Sequence, residues 1–354
     1  MFWAIVMAGG KGTRLWPASR ARQPKQFLKL FGKKTLIENT LDRLSKIIPR
    51  SHIYIITDHQ HLKQTQQLFP ELPKDQVIGE PVSRNTAATV ALGAALIAKR
   101  NPKAVIGIFP ADAAIFDERN FKKSVREAAS WAAKGEHHVL FGIKPTYPAT
   151  GYGYVERSKR KVMGNVFPVK RFVEKPNLAK AIRFIRNPSF YWQAGIFFWR
   201  ADTILTSFSK YLPKHYRTAL QIARAWKRGN SKFPLTHLFK RLETISVDYG
   251  IMEKLSAIYM VAARFGWNDI GSWSALHSIW PQDVHGNAYR GNVVSLNSKR
   301  NLVFSPHRQV CFLGVDDLIV VDTHDALLVA SKDKAEQVKD LVLALQKKNL
   351  KKYL

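Results

Sequence analysis

Gly9-Gly10-Lys11-Gly12-Thr13-Arg14 follows directly on an apolar run from Phe2 to Met7. Glycines let a backbone approach phosphate oxygens closely, and successive N–H groups can point inward as an anion nest. Lys11 and Arg14 add positive charge. The spacing is not that of a Walker A loop, which needs Gly-Lys-Ser/Thr, nor that of the dinucleotide fingerprint. Glycines alone leave a phosphate loop and a tight turn both open. Asp112 follows another apolar run, Ala104 to Phe109, and carboxyl ends of parallel strands are where ligands bind in open sheets. Taken singly, Asp112 also reads as a helix-capping residue and Asp269 as a turn residue. Arg14 and Lys25, taken singly, read as surface cations. No Ser-His-Asp arrangement is recognisable. A lone cysteine, Cys311, excludes a disulfide framework and a Cys-based zinc site.

These residues need a scaffold, and the sequence supplies a rhythm for one. Phe2 to Met7, His52 to Thr57, Ala104 to Phe109 and Val139 to Ile143 read as buried strands. Between them lie helical patterns. Leu36, Thr40, Leu41 and Leu44 fall on one face, Asn85 to Lys99 is alanine-rich, and Asn120 to Lys134 carries Phe121, Val125, Ala128, Ala129 and Ala132 at helical spacing. Alternation of this kind predicts an α/β fold: a Rossmann-like mixed, mainly parallel sheet with helices on both faces. After Pro145 come an aromatic turn, Thr150 to Tyr154, strands at Val169 to Val173 and Ile196 to Trp199, and a helical stretch from Ala201 to Arg228 broken at Pro213. The aromatic cluster Tyr191, Trp192, Phe197, Phe198 and Trp199 reads as core. From Val284, short strands (Asn292 to Leu296, Leu302 to Ser305, Val310 to Leu313, Leu318 to Val321, Ala326 to Ala330) predict a small β unit ending in a helix. The expected division is a domain over 1–283, in two halves (1–145 and 146–283), then a β domain over 284–354.

Composition narrows the class. The 354 residues carry 56 Lys and Arg against 26 Asp and Glu, a net charge of +30. Such charge raises the question of nucleic-acid binding. The cations are spread along the chain, with no basic arm and no zinc-finger spacing, so the charge reads as a solvated surface. No stretch approaches the roughly 18–20 apolar residues of a membrane span. The apolar N-terminus lacks the basic lead-in of a signal peptide, and a cytoplasmic protein is expected. Cys311, within Val310-Cys311-Phe312-Leu313, is expected in the core.

Extended beyond the glycines, the loop gains a family resemblance. Gly9-Gly10-Lys11-Gly12-Thr13-Arg14-Leu15-Trp16-Pro17-Ala18-Ser19-Arg20, followed by Gln23-Pro24-Lys25-Gln26-Phe27, resembles the signature of sugar-nucleotide pyrophosphorylases. Within them the chain is most similar to mannose-1-phosphate guanylyltransferases. Glu80-Pro81 with Arg84 to Ala87, Phe109 to Asp112, Gly151 to Tyr154, Phe172 to Pro176, Ala194 to Phe197, Ser246 to Tyr249 and Asn268 to Trp273 follow in the family's order. The resemblance implies transfer of a nucleotidyl group from GTP to mannose 1-phosphate with Mg2+, releasing pyrophosphate. It implies Arg14 and Lys25 on the phosphates, and Asp112 and Asp269 as Mg2+ ligands. Ala8, Gly9, Gly10, Gly12, Thr13, Glu80, Asn85, Thr86 and Asp112 fall on the nucleotide side. Gly153, Glu174, Lys175, Gln193 and Gly195 fall on the sugar side. The resemblance thus implies that the half over 1–145 takes the nucleotide and the half over 146–283 the sugar phosphate. Asn85 also reads as the N-cap of the alanine-rich helix.

The chemistry fits the residue types. A phosphate monoester is already mostly dianionic at neutral pH, so its oxygen needs no general base. The obstacle is repulsion between anions, which cations must offset. Two positions depart from the family. Ala113 stands where His is common, and Gln193-Ala194-Gly195 stands where Asn-Ser-Gly is common. Gln193 reaches one methylene further, which leaves another manno-configured sugar 1-phosphate open. No residue carries a uniquely guanine-reading pattern, so another NTP stays open as well. A silent regulatory homologue and a basic nucleic-acid-binding protein are the readings from other classes. The sequence leaves the oligomeric state open, a homodimer through the C-terminal β unit being one form.

Overall fold

Residues 1–10, 12–227 and 233–354 are described by the computed structural model. Lys11 and the Arg228 end of the expected helical stretch lie outside the described residues. The chain divides into two compact units. One joins Met1–Gly9, Thr40–Ala111 and Ile115–Trp267. The other joins Gly10–Asn39, Asp112–Ala114 and Asn268–Leu354.

The first unit is built on nine strands. They are β1 (Phe2–Ala8), β2 (Ile53–Asp58), β3 (Val77–Glu80), β4 (Val105–Pro110), β5 (His138–Ile143), β6 (Tyr154–Arg157), β7 (Val166–Val173), β8 (Phe190–Arg200) and β9 (Ile258–Ala263). Their order is β3-β2-β1-β4-β8-β5-β9-β7-β6, with β6 also pairing β8. β3, β2, β1 and β4 run parallel, as the strand–helix alternation predicts. β8 then lies antiparallel between β4 and β5, and β7 pairs β9 and β6 antiparallel. The mixed character therefore comes from the second half, where the chain returns by β8 rather than by crossover helices alone.

Both faces of this sheet are covered. Along β4, Ile106 and Ile108 join a core with Trp3, Ile5 and the buried helix Asn85–Ala98. Phe109 points the other way and meets Phe121 of the helix Glu118–Ala133 edge-on, with Phe121 in turn against Phe141 and Phe265. This is the period-2 alternation of a strand covered on both sides. Phe197, Phe198, Trp199 and Trp192 are buried, as expected of core. The stretch after Arg200 forms helices Ala201–Tyr211 and Pro213–Ala225, split where Pro213 opens the second. β3, β6 and β9 are strands that the sequence reading does not single out.

The second unit holds a four-stranded sheet: β10 (Ala288–Leu296), β11 (Leu302–Leu313), β12 (Leu318–Asp322) and β13 (Leu327–Ser331). Two expected strands, Leu302 to Ser305 and Val310 to Leu313, are one continuous strand. Pro306 does not end it: residues 306–309 of β11 stand opposite Asn292 alone between the pairs Gly291–Ser305 and Val293–Val310, so the irregularity is a bulge in β11. β10, β11 and β12 run parallel, and β13 closes antiparallel. Cys311 is exposed rather than buried. In β11 its neighbours Val310 and Phe312 face the inner cluster with Val303 and Val320, so alternation turns Cys311 outward.

The linear division at residue 283 separates the chain by element type, but the compact units divide it differently. Residues 10–39 pack with the β unit because tryptophans bind them there. Trp273 Nε1 donates to Trp16 O at 3.0 Å and Trp280 Nε1 to Leu30 O at 3.1 Å. Trp16 Nε1 donates to Tyr353 O at 2.7 Å. Leu15, Leu28, Leu30, Trp273, Trp280 and Leu302 share one buried cluster. Among the described residues no helix is long and apolar enough to cross a membrane.

Candidate active site

In the second unit the glycine loop leads into a single 3-10 turn, Thr13–Leu15. Gly12 has φ 55°, a left-handed conformation, and a Cβ there would lie 2.6 Å from Lys25 Cβ and 2.8 Å from Ser19 Oγ. Glycine is thus required at 12 twice over, by conformation and by the approach of Lys25. Gly10 has φ 139°.

Lys25 opens a second 3-10 turn, Lys25–Phe27, and is 8% exposed. Its Nζ lies 2.9 Å from Asp112 Oδ2 and also donates to the Asp269 carbonyl oxygen. Three of the expected site residues therefore converge around one ammonium group. Asp112 is not a helix cap: that role falls to Asp117, whose side chain accepts from the Asn120 N–H at 2.9 Å. A buried ammonium held by a carboxylate and a carbonyl marks a place where hard oxygen donors collect. Carboxylates of this kind are what Mg2+ prefers, with substrate phosphates and water completing its shell. Here Asp112 brings a carboxylate and Asp269 its carbonyl oxygen, and no group of three or more His, Cys, Asp or Glu able to hold a metal gathers among the described residues. Arg14 is turned elsewhere, its Nε 2.9 Å from Glu336 Oε2, with its side chain 44% exposed. Thr13, next to it in the turn, is half-buried.

In the first unit, Ala8 ends β1, and its carbonyl accepts from Thr57 Oγ1 at 3.0 Å. Gly9 follows, exposed. Glu80 ends β3, buried, and accepts from Thr89 Oγ1 at 2.7 Å. Burial pushes its carboxyl up to about 8, against the Thr89 hydrogen bond and with help from Asp58. Asn85 does not cap the helix as expected. It takes φ 60°, and its Oδ1 accepts from the adjacent Thr86 N–H at 2.8 Å, not from an N–H a turn further on. Thr86 Oγ1 accepts from the Val247 N–H at 2.9 Å.

The expected sugar-side residues of this unit do gather. Glu174 lies deep, its side chain 5% exposed, with Lys175 Nζ 2.8 Å from Oε1. It is thus no ordinary surface pair. Burial lowers the Lys175 pKa, but the Glu174 pairing more than reverses this, and the net direction is upward. A Cβ at Gly153 would lie 2.4 Å from Glu174 Oε2 and 2.8 Å from Gln193 Cγ. Gln193 Nε2 donates to Asp248 Oδ1 at 3.0 Å, and its Oε1 accepts from the Gly195 N–H at 2.6 Å. Gly195 has φ 68°. Burial, then the neighbouring Glu174, push the Asp248 carboxyl up to about 7. Sequence reasoning assigns no site role to Asp248 or Glu253. Glu253 Oε1 accepts the Glu174 N–H at 3.0 Å. The signals for Asp248 are its place in the motif Ser246 to Tyr249 and a carboxylate set among Val247, Ile251 and Met252.

Comparison with known proteins places this geometry. Residues 3–285 match the model of the nucleotidyl transferase family, and residues 291–345 match a MannoseP isomerase/GMP-like beta-helix domain. A mannose-1-phosphate guanylyltransferase of Sinorhizobium fredii is 38% identical over 351 residues, covering 96% of this chain and 67% of the relative. The alginate biosynthesis protein AlgA of Pseudomonas aeruginosa is 36% identical over 341 residues, covering 96% and 71%. Among solved structures, one from Thermus thermophilus described as a mannose-1-phosphate geranyltransferase superposes with a TM-score of 0.90. It is 32% identical, with 98% of this chain and 99% of that one covered. The chain belongs to the nucleotidyl transferase family, in the branch of the mannose-1-phosphate guanylyltransferases.

Proposed function

We propose that the chain makes GDP-mannose and pyrophosphate from GTP and mannose 1-phosphate. A sugar-phosphate oxygen forms the new bond to the α-phosphorus, and the bond from that phosphorus to the β-phosphate bridging oxygen breaks. The observation that carries the reading is the meeting of Lys25, Asp112 and Asp269 beside Gly12. It supports a site built to manage negative charge, which is the main barrier when two phosphate groups must approach.

In this reading the loop N–H groups around Gly10 and Gly12 cradle the triphosphate. Lys25 passes from Asp112 to phosphate oxygens when these arrive, since a phosphate dianion competes with a carboxylate for one ammonium. Arg14 meets the triphosphate with its terminal nitrogens while Glu336 orients the guanidinium. Asp112 and Asp269 would hold Mg2+ with the substrate phosphates, and the ion would supply charge neutralisation for the phosphoryl chemistry. Glu80, Asn85 and Thr86 serve the nucleotide, while Glu174, Lys175 and Gly153 serve the sugar phosphate. No residue is needed to take a proton from the nucleophile.

A panel of NTPs against hexose and heptose 1-phosphates, read by pyrophosphate release, tests the assignment. GTP with mannose 1-phosphate is expected to give the highest kcat/KM. Greater turnover with another pair would reassign the substrates, and no turnover with any pair would sink the enzymatic reading. A lone thiol suits a reducing compartment, and the reading assigns the cytoplasm. It also carries a homodimer through the β unit, where Leu296 and Leu313 sit opposite each other across β10 and β11 and are both exposed. Sedimentation of the protein as a monomer at micromolar concentration would remove that part.

A further inference from the structure

Ser246 starts a short helix, Val247–Gly250, by accepting from the Tyr249 N–H with its side chain at 3.3 Å. The turn fixes Asp248 between Val247, Ile251 and Met252, all of them buried. Asp248 is itself buried, yet the hydrogen bond it receives from a side chain comes from Gln193 alone among the described residues. The charged groups around it are Glu174, Glu253 and Lys175: with Asp248, three carboxylates to one ammonium. Packing three carboxylates against one cation costs stability and does nothing for the fold by itself.

A second observation says what the arrangement is for. Glu174 Oε2 has no hydrogen-bond partner among the described residues, although its side chain is only 5% exposed. A buried acceptor left unmade costs stability, which a ligand's donor would recover. Gly153 lets this oxygen sit where it does: a Cβ there would stand 2.4 Å from it and 2.8 Å from Gln193 Cγ. Gln193, which the family resemblance puts on the sugar side, has its carbonyl oxygen taken by the Gly195 N–H and one amide hydrogen directed at Asp248. The extra methylene of glutamine carries the amide to the carboxylate.

Resting on the function proposed above, we propose that Asp248 is a sugar-reading residue. Its carboxyl and the free oxygen of Glu174 take two hydroxyls of the hexose ring, and Gln193 is the positioning residue that holds Asp248 in place. Carboxyl groups suit this task because each offers acceptor oxygens to hydroxyl donors, and hydrogen bonds to charged groups are the stronger kind. A site built to bond a hydroxyl rejects the analogue lacking it far more strongly than an apolar pocket could.

The test pairs variants with deoxy-sugars. Wild type, Asp248→Ala and the near-isosteric Asp248→Asn are assayed with mannose 1-phosphate and its monodeoxy analogues, with KM for GTP measured in parallel. Asp248→Ala is expected to raise KM for mannose 1-phosphate about tenfold or more and to leave KM for GTP within about twofold, the range for one charge-assisted hydrogen bond. One deoxy analogue should be poor for wild type yet lose nothing further on Asp248→Ala. Asp248→Asn should show a smaller loss at the same hydroxyl and supplies the result if the alanine variant does not fold. Equal penalties for every analogue on wild type and variants, or a parallel rise in KM for GTP, would overturn the proposal while leaving the function standing. A wild-type protein inactive with every sugar phosphate would overturn both.

Discussion

Glu80→Gln isolates the energetic consequence of burying a carboxyl at the end of β3. The folded-state carboxyl is raised from 4.5 to about 8, burial being the main cause. Below pH 4.5 the folded and unfolded chains both hold the proton, and the group adds no pH dependence. Between 4.5 and about 8 the unfolded chain ionises and the folded one does not. Stability therefore falls by about 1.4 kcal/mol per pH unit. Above about 8 both states are ionised and the fall ends. The full window corresponds to about 5 kcal/mol, a large part of the net stability of a typical domain. Glutamine keeps the shape and the acceptor for Thr89 Oγ1 but cannot ionise. Urea unfolding of both proteins from about pH 5 to about pH 9 removes the contribution of every other titrating group by difference. The variant's advantage should grow with pH and level off above about pH 8. A difference that stays flat to within about 1 kcal/mol across that range would refute burial as the cause.

Asp112→Ala and Asp269→Ala should each lower turnover by at least about a hundredfold, as loss of a group acting on developing charge does. Unchanged pyrophosphate release in either would remove the metal assignment. Lys25→Met should cost a similar factor in kcat and, with no phosphate present, free Asp112 for cations. Calorimetry with Mn2+ alone should then show tighter binding than wild type, and weaker binding would show that Lys25 does not occupy the cation's place. Gly291→Ala should destabilise by roughly 2–4 kcal/mol, because the added methyl would stand 1.8 Å from Ser305 O at φ 127°. Chemical denaturation reads this directly, and a change below about 0.5 kcal/mol would mean the bulge relaxes freely.

Local order was legible where it rests on periodicity. The run Phe2 to Met7 is β1, the alanine-rich segment is the buried helix Asn85–Ala98, and Pro213 marks a helix start. Legibility failed where a local signal met a tertiary one. Leu302 to Ser305 and Val310 to Leu313 read as two strands, yet they are one, because β10 pairs with both segments while residues 306–309 bulge out between them. Asn85 reads as a cap, yet its left-handed backbone turns the side chain onto Thr86. In the site, the motifs and their family resemblance pointed to Lys25, Asp112 and Asp269, which do meet. What sequence could not convey was pairing across long separations. Arg14 meets Glu336 and Gln193 meets Asp248, and in neither case does the local sequence name the partner. The tryptophan hydrogen bonds that draw residues 10–39 into the β unit are of the same kind.

The most direct test of the central claim follows the oxygens. Mannose 1-phosphate labelled with 18O in its non-bridging phosphate oxygens is incubated with unlabelled GTP, Mg2+ and the protein, and both products are weighed by mass spectrometry. Attack by the sugar phosphate on the α-phosphorus predicts that all the label appears in GDP-mannose and none in pyrophosphate. Label in pyrophosphate, or no nucleotide sugar at all, would contradict the account.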